Sequence, residues 1–323
     1  MTHDTVTITD PATGSTARVA AHLGFNCFAF TAMIGGEPVE ILDAPADFAE
    51  GRERPSAYGV PVLFPFPNRI RGGVFTWDGR EYKLPESAVP FDGTGNAIHG
   101  FALDRAWRII AAEEDSVIGQ FQLSLDAAYR KEYWPADCFI EMRYSLSGTT
   151  LRAEVRIANP DERPLPWGFG THPYFRLPLA KTSAAKACRV EAPADEQWEL
   201  VGCLPTGVKR PIEPSADLRG GAGFEGLKLD DVLSGLKSAG DVLECVIADE
   251  AAGIQVAQRC DAIFRELVAY TPPGRNAVCL EPYTCVTDAI HLEQQGIDAG
   301  LRVLPPGEEV RTWIEIAIEP IMA

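Results

Sequence analysis

The sequence predicts an all-β protein built from many short antiparallel strands, and three observations carry that prediction. Apolar and polar residues alternate with period two in run after run, the pattern of strands with one buried face. Turn formers are dense, with 29 glycines and 25 prolines spread over 323 residues, which suits strands joined by turns better than long helices. Asp78-Gly79 stands between two apolar-rich runs, a strong short-range hairpin signal. Length alone would admit two domains, but large β-sandwiches exceed the usual domain size as one unit. The reading is a single domain over 1–323, mostly two packed antiparallel sheets.

The elements follow in chain order. Residues 44–54 hold helix formers with poor periodicity and give one weak helix. In the run 61–70, prolines 61, 65 and 67 exclude a central, fully paired strand and predict an extended edge or loop. Residues 74–77 and 82–84 flank the Asp78-Gly79 turn. At 121–125 apolar residues fall at every second place, as do Ile140, Met142, Tyr144 and Leu146, then Leu151, Ala153, Val155 and Ile157. Ser147-Gly148-Thr149 between the last two runs reads as a hairpin turn. Residues 181–240, rich in Ala, Pro, Gly and charge, read as long loops crossing one sandwich. The apolar stretch 277–280 reads as a strand ending at Glu281, and Ile314, Ile316 and Ile318 mark a last strand.

Composition narrows the function. The formal net charge is −17, from 46 acidic and 29 basic side chains. Such a surface repels nucleic-acid phosphates and anionic lipid, so neither is an expected partner. No stretch approaches the roughly 20 apolar residues of a membrane helix, and residues 1–20 are polar with no signal-type run. The eight cysteines (27, 138, 188, 203, 245, 260, 279 and 285) show no CxxC or close cluster, and read as free thiols in a reducing cytoplasm. No Gly-rich nucleotide loop is present, so no cofactor is expected.

Two of the five histidines lie in similar settings rich in glycine and aromatics, His99-Gly100-Phe101 and Gly170-Thr171-His172-Pro173-Tyr174-Phe175. A lone histidine is more often structural, but two such settings point to acid/base work. His3, His22 and His291 lack them and read as incidental. Glu281, at the end of an apolar strand, is partly desolvated, which raises its pKa and improves it as a base. Asn68 and Arg69 follow the proline platform, where the guanidinium can fork onto hydroxyls or an anion. Asp230 and Asp231 offer a further carboxylate, equally readable as a turn or cap. Aromatic faces beside these motifs, among them Trp77, Trp107, Trp167, Tyr174, Phe175 and Tyr283, suit the apolar faces of sugars, although most such side chains belong to a core.

Taken in order, Phe64-Pro65-Phe66-Pro67-Asn68-Arg69-Ile70, His99-Gly100, His172-Pro173-Tyr174-Phe175, Asp230 and Glu281 resemble the motifs of the aldose 1-epimerase (galactose mutarotase) family. The likeness runs from about residue 20 to residue 318 of the sequence. Phe101 stands where glucose and galactose members often have a second glycine, and Glu281-Pro282-Tyr283-Thr284 is closer to a divergent branch. Asp230 is preferred to Asp231 because Leu233 lies three residues on.

The resemblance implies a β-supersandwich and interconversion of the α and β anomers of an aldose, with no metal or other cofactor. By family role Glu281 would take the C1 hydroxyl proton and His172 would protonate the ring oxygen, opening the ring. His99, Arg69, Asp230 and Asn68 would hold the sugar. The expected partner is a small-molecule sugar, and the expected state is a cytoplasmic monomer or homodimer.

Three other readings stand beside it. An epimerase of an anionic sugar, a hexose 6-phosphate or sulfo-sugar, would hold it with arginines such as Arg71, Arg105 or Arg176. A sugar-binding protein would use the same fold without turnover. A metal-dependent isomerase would use His99, His172, Asp230 and Glu281 as ligands.

Overall fold

The computed structural model describes residues 5–321, and its regular structure is almost entirely antiparallel strand. Its largest sheet has nine strands, in the order Arg108–Ala112, Ser116–Gln122, Phe139–Ser147, Thr150–Ala158, Glu309–Pro320, Ile254–Asp261, Val242–Asp249, Cys188–Glu191 and Ala222–Gly223. The alternating runs build its centre. Ile140 faces Ile157 and Met142 faces Val155, all buried, while Arg152 and Arg156 on the other face reach Glu315 and Glu309 across strands at 3.3 and 2.8 Å. Ser147 pairs with Thr150, so the turn is the two residues Gly148-Thr149, with Gly148 at φ 60°. The hairpin at Asp78-Gly79 also forms, with both residues at positive φ (48° and 74°), as a type I′ turn requires.

The second large sheet has eight strands, labelled here in chain order: β1 (Val62–Leu63), β2 (Gly170–Thr171), β3 (Tyr174–Arg176), β4 (Glu196–Val201), β5 (Leu204–Pro211), β6 (Asp230–Ser234), β7 (Glu266–Tyr270) and β8 (Ala277–Tyr283). They lie in the order β5-β4-β6-β7-β8-β2-β1, with β3 also paired to β8. As the prolines require, the 61–70 run contributes only the edge strand β1 and the short pair Arg69–Ile70 with Ala97–Ile98. Leu233, Leu267, Ala269, Val278 and Leu280 turn one face of this sheet into the main core, shared with Ile140, Val155 and Ile314 of the nine-stranded sheet. A smaller sheet of Thr5–Thr9, Thr16–Ala20, Asn26–Ile34 and Glu37–Glu40 flanks them.

Four expectations need correction. At 121–125 the strand stops at Gln122 and Leu123–Asp126 forms a helical turn. There the Asp126 carboxylate accepts from the Gln122 N–H and Asp137 accepts from the Ser124 N–H, so side chains bend a run whose alternation suggests strand. The 44–54 helix is a single 3₁₀ turn, Phe48–Glu50. Residues 181–240 are not loop alone, since they also supply β4, β5 and β6 and two strands of the larger sheet. The strand of Glu281 continues through Pro282, opposite Leu267, to Tyr283.

Candidate active site

The outer face of the eight-stranded sheet carries the chemistry, and strand register places it there. Because side chains alternate along a strand, turning Leu233, Ala269 and Leu280 inward turns Asp230, Tyr270, Cys279 and Glu281 outward. Asp230 pairs with Tyr270, Tyr270 with Cys279 and Cys279 with Tyr174; one row on, Val232 leads to Val268 and Val268 to Glu281. All seven residues of β8 are buried, which explains why its sequence reads as an apolar run rather than an alternation.

Glu281 and His172 meet on this face, with His172 Nε2 3.3 Å from Glu281 Oε1. The backbone of His172 is held by its N–H donating to Pro61 O at 3.0 Å. The glycine before it in β2, Gly170, is needed for packing rather than flexibility, since a Cβ there would lie 2.3 Å from the Tyr283 ring. Tyr283 donates its hydroxyl to Glu281 Oε2 at 2.5 Å. On the other side the His172 ring stacks on Tyr174, centroids 4.5 Å apart and planes 7° from parallel. The Tyr174 hydroxyl donates to Ser56 O at 2.9 Å and lies 3.3 Å from His172 Nε2. Behind it the Arg275 guanidinium sits 4.7 Å from the Tyr174 ring and 4.2 Å from the Tyr58 ring, fixed by Asp43 at 2.6 Å and Ala57 O at 2.9 Å.

His99, Asn68 and Arg69 form the adjoining wall. The His99 N–H donates to Asn68 O at 2.9 Å, and both residues have positive φ (69° and 56°). Gly100 sits at φ 77°, where a Cβ would lie 2.2 Å from Phe64 O. The close neighbour that demands this glycine is therefore backbone, not a ligand as its place after His99 suggests. Arg69 is aimed by Asp92, Nε to Oδ2 at 2.6 Å, and donates to Asn68 Oδ1 at 2.9 Å. The His99 and His172 rings are 5.8 Å apart, edge to face. Asp230 is exposed at the margin, 3.8 Å from the Cys203 thiol, and its charge acts on Glu281 and Tyr270. Asp231, on the opposite side of the strand, is raised by burial, and neither Arg69 nor Glu281 acts on it.

Electrostatics favours uncharged forms at the centre. Burial pushes Glu281 well above the usual carboxylate range against the Tyr283 hydrogen bond, and the Asp230 charge adds to the rise. Burial, with the His99 and Arg275 charges, holds His172 well below the ordinary imidazole value. Burial and Arg69 take His99 down to about 3. Asp92 behaves oppositely: despite its desolvation, hydrogen bonds from the Asn96 N–H, Arg69 and Thr94 keep it strongly acidic.

The structure thus brings together Glu281, His172, His99, Arg69 and Asn68, with Asp230 at the edge. The three arginines considered for an anion are each engaged with carboxylates: Arg71 with Asp288 at 3.2 Å, Arg105 with Asp104 at 3.1 Å, and Arg176 with Glu40 at 3.1 Å. The four-residue metal set is not assembled. Among the described residues, the one close group of potential metal ligands is His172, Cys279 and Glu281, without His99 or Asp230. His3 lies outside the described residues; His22 Nε2 is 2.8 Å from Ala49 O and His291 Nδ1 2.6 Å from Asp288 Oδ1, consistent with structural roles. Sequence reading missed Asp92, Arg275 and the nearness of Cys279. Asp92 had a signal, a polar turn Asp92-Gly93-Thr94-Gly95-Asn96 just before His99, whereas Arg275 and Cys279 had none.

Comparison with known proteins gives a consistent picture. The family model described as aldose 1-epimerase matches residues 35–317. The uncharacterized protein YihR of Escherichia coli K12 is 26% identical over 267 residues, 82% of this chain and 80% of that one. Galactose mutarotase of Rattus norvegicus is 28% identical over 172 residues, 53% of this chain and 48% of that one. A galactose mutarotase-like protein from Clostridium acetobutylicum superposes with a TM-score of 0.84 at 24% identity, covering 98% of this chain and 96% of that one. The fold is the antiparallel β-supersandwich of such proteins. Among the described residues no helix is long and apolar enough to cross a membrane.

Proposed function

Because the chain belongs to the aldose 1-epimerase family, we propose that it is a mutarotase that interconverts the α and β anomers of an aldose by acid/base ring opening, with Glu281 and His172 as the two proton-transfer groups. The observation that carries this reading is the buried approach of His172 Nε2 to Glu281 Oε1 at 3.3 Å, on a face where His99, Arg69 and Asn68 can hold sugar hydroxyls.

The proton count supports the scheme. With Glu281 raised and His172 lowered, the pair holds one proton between the depressed His172 value and the raised Glu281 value. Ring opening uses the arrangement with that proton on His172: carboxylate Glu281 takes the proton of the C1 hydroxyl, and His172 gives its own to the ring oxygen. The pair is left as neutral imidazole and protonated Glu281, the arrangement that burial favours. Rotation about C1–C2 and closure on the other face reverse both transfers and yield the second anomer. Each group typically contributes about 10²–10⁴-fold in rate. The existing carboxylate partners of Arg71, Arg105 and Arg176 support a neutral aldose over an anionic one.

The test is polarimetry of freshly dissolved α-glucose and α-galactose. Wild type is expected to speed decay to the same final rotation, and Glu281→Gln and His172→Ala each to lose at least about 10²-fold. Turnover confined to a hexose 6-phosphate in anomer-resolved NMR would establish the anionic reading instead. Binding of sugar with no turnover of any aldose would replace the enzyme by a sugar-binding protein.

A further inference from the structure

We propose that the same pocket is a binding site for a thiophilic divalent cation such as Zn²⁺, held by His172, Cys279 and Glu281 in competition with sugar. The competition rests on the mutarotase reading, but the binding does not.

The three ligands are brought together by sheet geometry. Cys279 and Glu281 are two residues apart on β8 and share its outer face, while Tyr174, which pairs with Cys279, follows His172 by two residues. One nitrogen, one sulfur and one carboxylate oxygen lie within 4.8 Å of one another, all from buried residues, and the His172–Glu281 edge of that triangle is 3.3 Å. A point equidistant from three such atoms is within about 2.6 Å of each, against bond lengths of about 2.0–2.3 Å for zinc with N, O and S donors. Tetrahedral bonds of that length need donors about 3.3–3.8 Å apart; the His172–Glu281 edge already meets this at 3.3 Å, and the Cys279 sulfur must close by up to about 1 Å, leaving the fourth position to solvent.

The donor set discriminates among ions. Thiolate and imidazole favour Zn²⁺ and its neighbours in the transition series over Mg²⁺ or Ca²⁺, which require oxygen donors. The Tyr283 hydroxyl already orients the carboxylate, the kind of outer contact that supports metal ligands. Binding displaces the Cys279 thiol proton and the proton shared by Glu281 and His172, and both leave to solvent. Nε2 and the carboxylate are then unavailable to the sugar. Cys279 takes no part in the proton transfers, so its replacement is read on the ion, with each variant's inhibition measured against its own uninhibited rate.

Cobalt(II) is the probe, because its thiolate complexes absorb in the near ultraviolet. Titration of the wild type is expected to produce the thiolate-to-cobalt band. The band should be absent in Cys279→Ser and in His172→Ala, and retained in Cys203→Ser, which removes the one thiol that is not buried. Zinc is expected to slow mutarotation competitively with sugar, and Cys279→Ser to raise the half-inhibiting concentration by more than about tenfold, since loss of even an outer-shell partner costs 10–100-fold. No band in the wild type at saturating cobalt, or a band undiminished in Cys279→Ser, would overturn the proposal; Cys279→Ala serves if the serine variant does not fold. A normal band in a protein that turns over no sugar would overturn the mutarotase reading alone.

Discussion

Tyr283 donates its hydroxyl to Glu281 Oε2 at 2.5 Å from two residues further along the same strand, so the proposed base and the group that orients it share one rigid element. A hydrogen bond to a charged group contributes about 1.5–3 kcal/mol. Tyr283→Phe is expected to lower kcat by about 10–100-fold, with KM nearly unchanged. The bond favours the ionised carboxylate, so its loss raises the Glu281 pKa further and moves the alkaline limb of the rate profile to higher pH. Polarimetric rates from pH 4 to 10 check both effects.

The pair also sets the shape of that profile. The single shared proton is joined by a second only below the depressed His172 value and lost only above the raised Glu281 value. The rate is therefore expected to be flat between those two values, to fall at lower pH as both groups hold protons, and to fall at higher pH as neither does. A profile that climbs steadily between pH 5 and 8, following an ordinary imidazole, would contradict a pair that shares one proton.

Arg275 acts on His172 through the stack behind it. The groups facing the His172 ring are Glu281, Tyr174, Tyr270, His99 and Cys279, and Arg275 lies one ring further back. Its charge helps hold His172 down, so Arg275→Met is expected to raise the His172 pKa and carry the acid limb to higher pH. Arg275→Lys keeps the charge without the planar stack on Tyr58 and Tyr174, and is expected to retain the acid limb while losing stability. NMR titration of the His172 ring distinguishes the two variants.

Gly100 carries a steric demand that no other residue meets. With φ at 77° and Phe64 O 2.2 Å from a would-be Cβ, Gly100→Ala is expected to cost more than about 2 kcal/mol, the range of forced strain and overpacking. The midpoint of urea unfolding measures this. Because Phe64 opens the segment that ends in Asn68 and Arg69, a rise in KM is expected in whatever variant folds.

Much of this was readable from residue order, for identifiable reasons. The runs at 140–146, 151–157 and 314–318 alternate because one face meets the core and the other meets water, and they form strands as expected. The site motifs were legible because glycine and proline mark the turns that aim His99 and His172. The 181–240 region was opaque. Its hairpin from β4 to β5 turns on Gly202-Cys203, both at positive φ, and cysteine is not a residue that announces such a turn. At 121–125 two carboxylates override the alternation. Cys279 lies over a hundred positions from His172 in the sequence, and only the pairing of β3 with β8 makes them neighbours.

The eight-stranded sheet has no spare face, and this constrains how the protein can diverge. One side of β8 gives Val278 and Leu280 to the core and the other presents Cys279 and Glu281 to the pocket. A one-residue insertion or slip in this strand would exchange the two sets, burying a carboxylate among aliphatic side chains and exposing leucine to the pocket. Lineages carrying this sheet must therefore inherit chemistry and stability as one trait. New preferences for sugars have room to arise in the connections that overhang the pocket, among them the Gly202-Cys203 turn beside Asp230.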